Sequence, residues 1–81
     1  MLSFSIRLTS VSDVRSFVAI TEKYDCDIDL VSGAFTVDGK SIMGIFSLNL
    51  KEPLEVTIHK DGKADAVCEA LAEALKPFKV L

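Results

Sequence analysis

Apolar and polar residues alternate along each segment of this chain that has the composition of a β-strand. The alternation is clearest over residues 2–9, LSFSIRLT, and it recurs over residues 26–31 and 54–59. A period of two places the apolar side chains on one face of a strand and the polar side chains on the other. A sheet of such strands has one face to bury, which predicts an antiparallel sheet with all helices on one side.

Helical patterns separate these strands. The first helix is expected to follow the capping residues Ser10 and Ser12 and to end near Tyr24. Its buried face consists of residues three and four apart, namely Val14, Phe17, Val18 and Thr21. A turn at Ser32-Gly33 then connects the second strand to a short third strand over residues 34–37, which predicts a hairpin.

Two more helices are expected in the second half of the chain. Residues 41–48 predict a short helix, and residues 63–76, after a turn at Asp61-Gly62, predict a longer one that Pro77 ends. The apolar residues of the longer helix lie four apart, at Val67, Leu71 and Leu75. The element order β-α-β-β-α-β-α predicts an α+β fold, with a four-stranded antiparallel sheet, three helices on one face and a split first βαβ unit.

Size and charge narrow the possible functions. The 81 residues predict a single domain over residues 1–81, and the net charge of −3 argues against direct binding to nucleic acid or to an anionic membrane. No apolar stretch approaches the roughly 20 residues that span a bilayer, and the alternating N-terminus predicts a strand rather than a signal peptide. We therefore expect a cytoplasmic protein, monomeric or weakly dimeric. Cys26 and Cys68 predict buried, reduced thiols without zinc, because neither belongs to a CxxC pair.

The segment DGKSIMGIFSL, residues 38–48, contains the Gly-Lys-Ser that ends a phosphate-binding loop. The full motif requires an earlier glycine at a fixed spacing after a strand, and Gly33 precedes Gly39 by the wrong spacing. The segment therefore does not predict a nucleotide site. Ser41 is instead expected to cap the short helix, and a phosphoryl group at that position would gain from the helix dipole and the free amides.

The apolar residues after Ser41 are too many for one face of a two-turn helix. Ile42, Met43 and Phe46 are the residues expected to remain partly exposed. An exposed apolar patch beside a serine predicts a docking surface for a protein partner. The alternative is an ordinary core helix with one exposed side chain.

The remaining polar candidates predict no catalytic or metal site. His59, the single histidine, is expected on the outward face of the fourth strand, with only Glu55 as an acidic residue on that face, and it is interpreted as a solvated side chain. Asp25, Asp27 and Asp29 have the period of a solvated strand face and lack the glycine and glutamate offsets of a calcium loop. No cofactor is expected.

Two segments resemble the HPr family, the small phosphocarriers of the bacterial sugar phosphotransferase system. They are KYDCDIDL at residues 23–30 and GKSIMGIFSL at residues 39–48. The resemblance implies the open-faced β-sandwich of that family and a carrier protein rather than an enzyme. It also implies that Ser41 is a regulatory phosphorylation site for HPr kinase/phosphorylase. The resemblance further implies a surface that docks enzyme I, the kinase and the catabolite-control regulator, and the residues expected to form it are Lys40, Ile42, Met43 and Phe46.

The other half of the family pattern is missing. The family carries its phosphoryl group on a histidine followed by Arg-Pro, just before the first helix. The corresponding region here is LTSVSDVRSF, residues 8–17, which contains neither the histidine nor an Arg-Pro pair. Arg15 lies inside the predicted helix and cannot be assigned to phosphate binding, and His59 is on another strand.

We therefore expect an HPr-like regulatory module that lacks the carrier histidine, similar to the catabolite-repression HPr-like protein. Phosphorylation of Ser41 would control its binding to proteins of carbon catabolite regulation. Two alternatives remain at this point: a phosphocarrier that uses a different residue, and a divergent interaction protein without phosphorylation.

Overall fold

A computed structural model describes residues 2–59 and 65–80. In chain order the elements are β1 (Leu2–Ile6), α1 (Val11–Thr21), β2 (Asp27–Ser32), β3 (Phe35–Asp38), α2 (Ile42–Phe46), β4 (Leu54–His59), α3 (Asp65–Ala74) and a 3-10 turn (Lys76–Phe78). The predicted element order and the α+β class are confirmed. The predicted turn at Asp61-Gly62 and the predicted start of the third helix at Lys63 lie outside the described residues.

The four strands form one antiparallel sheet in the order β1-β4-β2-β3. Because β4 is antiparallel to both β1 and β2, those two strands are parallel to each other with β4 between them. This is the predicted split βαβ unit. β2 and β3 form the predicted hairpin, and the turn between them contains Gly33, whose φ of +61° favours glycine.

The core lies between the helices and one face of the sheet. The inward residues of β4 and the predicted face of α1 are all buried: Leu54, Val56, Ile58, Val14, Phe17, Val18 and Thr21. The opposite face of the sheet carries the polar residues of the alternating pattern. The helices therefore cover only one face, as the alternation of apolar and polar residues predicted.

The predicted buried face of the third helix is wrong at one position. Val67 is 36% exposed, whereas Cys68, Leu71 and Leu75 are buried. A helix turns by 3.6 residues, so spacings of three and four keep side chains on one face better than two spacings of four. Cys68, which was expected to be buried, therefore lies on the core face with Leu71 and Leu75, and Val67 lies beside that face.

Candidate functional site

Ser41 caps α2, as predicted. Its backbone is extended, with φ −104° and ψ 109°, and its hydroxyl accepts a hydrogen bond from the amide of Gly44 at 3.1 Å. This bond satisfies one of the amides that have no partner within the first turn of a helix. Ser41 is half-buried.

The turn that leads into Ser41 is fixed in the core. The amide of Gly39 donates to the Ile28 carbonyl at 2.7 Å, and the Gly39 carbonyl accepts from the buried Thr21 hydroxyl at 3.1 Å. Thr21 also donates to the Val18 carbonyl at 3.2 Å. These bonds connect α1 and β2 to the turn, so the position of Ser41 depends on the core and not only on its own helix.

Lys40 lies beside Ser41, but its ammonium group already has a partner within the chain. The Lys40 Nζ donates to the carbonyl of Tyr24 at 2.8 Å, and its backbone amide donates to the Asp38 carboxylate at 2.9 Å. Lys40 is half-buried. A partner protein that contacts this ammonium would therefore approach it next to the end of α1.

The predicted apolar patch on α2 is exposed. Ile42, Met43 and Phe46, which we call the α2 patch, are 39%, 84% and 42% exposed, whereas Ile45 is fully buried. A Cβ at Gly44 would lie 3.3 Å from the Cβ of Val37, so glycine allows α2 to approach β3 closely. The short helix therefore uses one apolar residue for the core and presents three to the solvent.

Sequence reasoning also missed the exposed aromatic side chain of Phe35 on β3. It is 71% exposed, although it lies on the same face of β3 as Val37, which packs against the core. Its position at the end of the hairpin, directly after the Gly33 turn, is the available signal.

In the region before α1, where the resemblance places the carrier histidine, the carboxylate of Asp13 is hydrogen-bonded to Thr9. The Ser10 hydroxyl accepts from the Asp13 amide at 3.1 Å, and Asp13 Oδ2 accepts from both the amide and the hydroxyl of Thr9 at 2.9 Å. These two bonds, the backbone bond first, lower the pKa of Asp13 below its usual value of 3.8, against a smaller opposing effect of desolvation. The first turn of α1 thus already holds a negative charge.

His59 is less free than predicted, because its Nε2 lies 2.8 Å from Asp29 Oδ2. The two residues are on the neighbouring strands β4 and β2, so local sequence spacing could not reveal the pair. Asp29, which was also predicted to be solvated, is therefore paired with His59. A cleft of about 390 Å³ surrounds the pair and is lined also by Asp27 and Asp38, which makes its charge strongly negative.

His59 is also far from the region before α1. Leu2 pairs with Ile58 and Ile6 pairs with Leu54, so His59 lies at the end of β4 that is next to the start of β1. Thr9 follows the opposite end of β1. The length of this strand alone separates the two ends by about 13 Å, at roughly 3.3 Å per residue.

A second cleft, of about 520 Å³, lies between the segment after β1 and the segment after α2. Its lining includes Arg7, Thr9, Asn49 and Lys51, and the Arg7 guanidinium donates to the Lys51 carbonyl at 3.0 Å. The cleft brings the region before α1 next to the end of α2. Sequence reasoning did not find it, because its residues come from two distant segments.

Residues 2–59 and 65–80 contain no group of three histidine, cysteine or acidic residues arranged to hold a metal ion. None of the helices within these ranges is both long enough and apolar enough to cross a bilayer.

Residues 14–77 match the family model described as "PTS HPr component phosphorylation site". The chain resembles the structure of HPr-C-His from Thermoanaerobacter tengcongensis with a TM-score of 0.76 and 23% identity, over 95% of this chain and 89% of that one. It resembles the phosphocarrier protein HPr from Bacillus anthracis str. Ames with a TM-score of 0.69 and 21% identity, over 96% of each chain. At these identities the two structures show a shared fold. The family match begins at Val14, inside α1, so the segment closed by Asp13 precedes it.

Proposed function

Since this chain belongs to the HPr family of phosphocarrier proteins, we propose that it is a regulatory interaction module of the phosphotransferase system, switched by phosphorylation of Ser41. Members of this family act as carriers rather than catalysts and interact with other proteins of the system. The observation that carries the proposal is the position of Ser41, which caps α2 directly before the α2 patch. We propose that the switch acts in carbon catabolite regulation in the cytoplasm.

The geometry of the cap supports a phosphoryl group on Ser41. The Ser41 oxygen is the acceptor in its bond with Gly44, so this bond does not use the hydroxyl proton. Phosphorylation adds a charge of about −1.5 to −2 at neutral pH, and the first turn of a helix favours negative charge. The modification therefore adds negative charge to the surface, and the oxygen of Ser41 can still accept the Gly44 amide and cap α2.

The α2 patch supports a protein partner at the same place. Met43 is flexible and largely exposed, and Ile42 and Phe46 flank it on the same short helix. We propose that Lys40 and the α2 patch dock HPr kinase/phosphorylase and the catabolite-control regulator. A phosphoryl group at Ser41 would lie next to Lys40 and next to the α2 patch. Its charge would therefore alter the affinity for each partner protein.

We further propose that this chain does not carry a phosphoryl group on histidine. The segment before α1 contains no histidine and holds the Asp13 carboxylate, which would repel a phosphoryl group. His59 faces Asp29 in an acidic cleft at the other end of the sheet. The Asp29 carboxylate at the ring and the two further carboxylates that line the cleft, those of Asp27 and Asp38, disfavour the transfer of a phosphoryl group to His59.

The decisive experiment is phosphorylation by HPr kinase/phosphorylase with ATP, measured by intact mass. We expect one added phosphate on the wild-type chain and none on Ser41→Ala. The matched control is Ser47→Ala at the other end of α2, which should still gain the phosphate. Phosphorylation of Ser41→Ala would contradict the proposal.

Histidine transfer has a separate test. Incubation with enzyme I and phosphoenolpyruvate should leave the chain unlabelled, with a conventional HPr as the positive control. Acid-labile phosphohistidine on this chain, lost in His59→Gln, would refute the second part of the proposal and would support the alternative of a carrier that uses a different residue.

A further inference from the structure

The two cysteines come from distant parts of the chain and meet in the core. Cys26 lies directly before β2 and Cys68 lies in α3, 42 positions later. Their sulfur atoms are 3.8 Å apart, and the residues are 1% and 0% exposed. Both are free thiols in this structure. The separation is close to van der Waals contact, so no other atom lies between the two sulfurs.

The two sulfurs are close enough to bond after a small movement. A disulfide has a sulfur–sulfur distance of about 2.05 Å, so the atoms need to approach by roughly 1.8 Å. Rotation of the two side chains and a small shift of α3 toward β2 can supply this approach. Sequence reasoning predicted two buried, reduced thiols, and only the fold shows that they are neighbours.

We propose that Cys26 and Cys68 form an oxidation site that closes to an intramolecular disulfide with hydrogen peroxide as the oxidant. One sulfur, as the thiolate, attacks a peroxide oxygen, so the oxygen–oxygen bond breaks and the released hydroxide takes a proton to become water. The product is a sulfenic acid. The second sulfur then attacks the first, the sulfur–oxygen bond breaks, and a second water leaves. Two thiols and one peroxide thus give one disulfide and two waters.

Burial determines the rate and the product of this reaction. The core excludes the oxidant, and burial, followed by the neighbouring Cys68, raises the pKa of Cys26, so the thiolate is scarce in the closed protein. Oxidation therefore proceeds through transient opening of α3 from the sheet and is slow. Once a sulfenic acid forms, closing of α3 returns the other thiol to contact with it, so the internal disulfide forms before a second molecule or more peroxide can react.

The bond would connect α3 to the start of β2. That position lies two residues after Tyr24, whose carbonyl holds the ammonium group of Lys40. The disulfide would also close a long loop and so restrict the unfolded chain, which raises thermal stability. For a protein of this size we expect the melting temperature to rise by about 10 °C.

The test uses the full chain with hydrogen peroxide and reads the thiols by alkylation in denaturant. The reduced protein should accept two alkyl groups, and the oxidised protein should accept none, with an intact mass lower by two hydrogens. The rise in melting temperature should appear together with this change and disappear with dithiothreitol. Low concentrations of urea should accelerate the reaction, because they favour the opening of α3.

The single variants Cys26→Ala and Cys68→Ala are the controls. Each should show no peroxide-dependent rise in melting temperature, and its remaining thiol should accumulate as a sulfenic acid that dimedone traps. The wild-type experiment does not depend on the folding of either variant. Two alkylatable thiols after prolonged treatment, a disulfide-bonded dimer, or sulfinic acid in place of the disulfide would each overturn the proposal.

Discussion

Gly39 lies where the core determines the position of Ser41, and Gly39→Ala tests this arrangement directly. A Cβ at this position would lie 2.6 Å from Cγ2 of Ile28, 3.1 Å from its Cβ and 3.2 Å from its carbonyl oxygen. Ordinary contacts begin near 3.4 Å, so the methyl group of Ile28 and the new carbon must separate by about 0.8 Å. Ile28 is 2% exposed on β2, an inner strand of the sheet, and has little room to withdraw.

Two opposing effects determine the sign of the change. The φ angle of Gly39 is not positive, so alanine fits the backbone at this position. Alanine would stabilise the folded protein by about 0.4–1 kcal/mol, because it lowers the conformational entropy of the unfolded chain. Overpacking of a core costs about 1–3 kcal/mol, and a displaced turn would also weaken the bond from Thr21 to the Gly39 carbonyl, at about 1 kcal/mol. We expect a net loss of about 2 kcal/mol, or a melting temperature lower by about 10 °C.

Urea and thermal unfolding of a double-mutant cycle would check the cause. Ile28→Leu removes the Cγ2 branch at nearly constant volume and should cost less than about 1.5 kcal/mol on its own. In that background Gly39→Ala should cost at least about 1 kcal/mol less than in the wild type, because the closest contact is gone. An alanine variant as stable as the wild type, or an equal cost in both backgrounds, would refute this reasoning.

Three further predictions follow from the caps and the α2 patch. Ser41→Ala should lower the free energy of unfolding by about 1 kcal/mol in urea titrations, whereas Ser12→Ala, a serine inside α1, should change it by less than about 0.5 kcal/mol. Asp13→Asn should be less stable than the wild type at neutral pH. Because folding lowers the pKa of Asp13, this difference should vanish as the pH falls through and below about 3.8, as a series of unfolding curves would show. Met43→Ala should weaken binding to HPr kinase/phosphorylase several-fold in calorimetry, whereas Val67→Ala, an exposed apolar residue on α3, should not.

The sequence predicts the features that depend on local order along the chain. Alternation identified the strands and the open face, and the caps at Ser10 and Ser41 marked two helix starts that the structure confirms. The exposure of the α2 patch also followed from local reasoning, because a short helix cannot bury apolar residues on all sides. These predictions need no knowledge of which segments become neighbours in space.

The features that sequence reasoning missed are contacts between distant segments. His59 was interpreted as solvated because its partner, Asp29, lies on a neighbouring strand whose register the sequence does not give. Cys26 and Cys68 were expected to be buried, but their contact depends on how α3 lies over β2. In α3, Leu71 and Leu75 are buried and only Val67 is exposed, since a regular spacing of four drifts around a helix of 3.6 residues per turn.

The two capped helices differ at one position that bears on the proposed switch. Ser10 and Ser41 each accept a bond from the amide three residues later, at 3.1 Å in both cases. In α1 that residue is Asp13, whose carboxylate turns back to Thr9 and fills the first turn with negative charge. In α2 it is Gly44, which has no side chain and leaves the cap without a neighbouring carboxylate at that position. A phosphoryl group on Ser10 would be repelled by the Asp13 carboxylate, whereas the corresponding position at Ser41 carries no charge and the Asp38 carboxylate before it is bonded to the Lys40 amide. We therefore expect the proposed modification at α2 and not at α1.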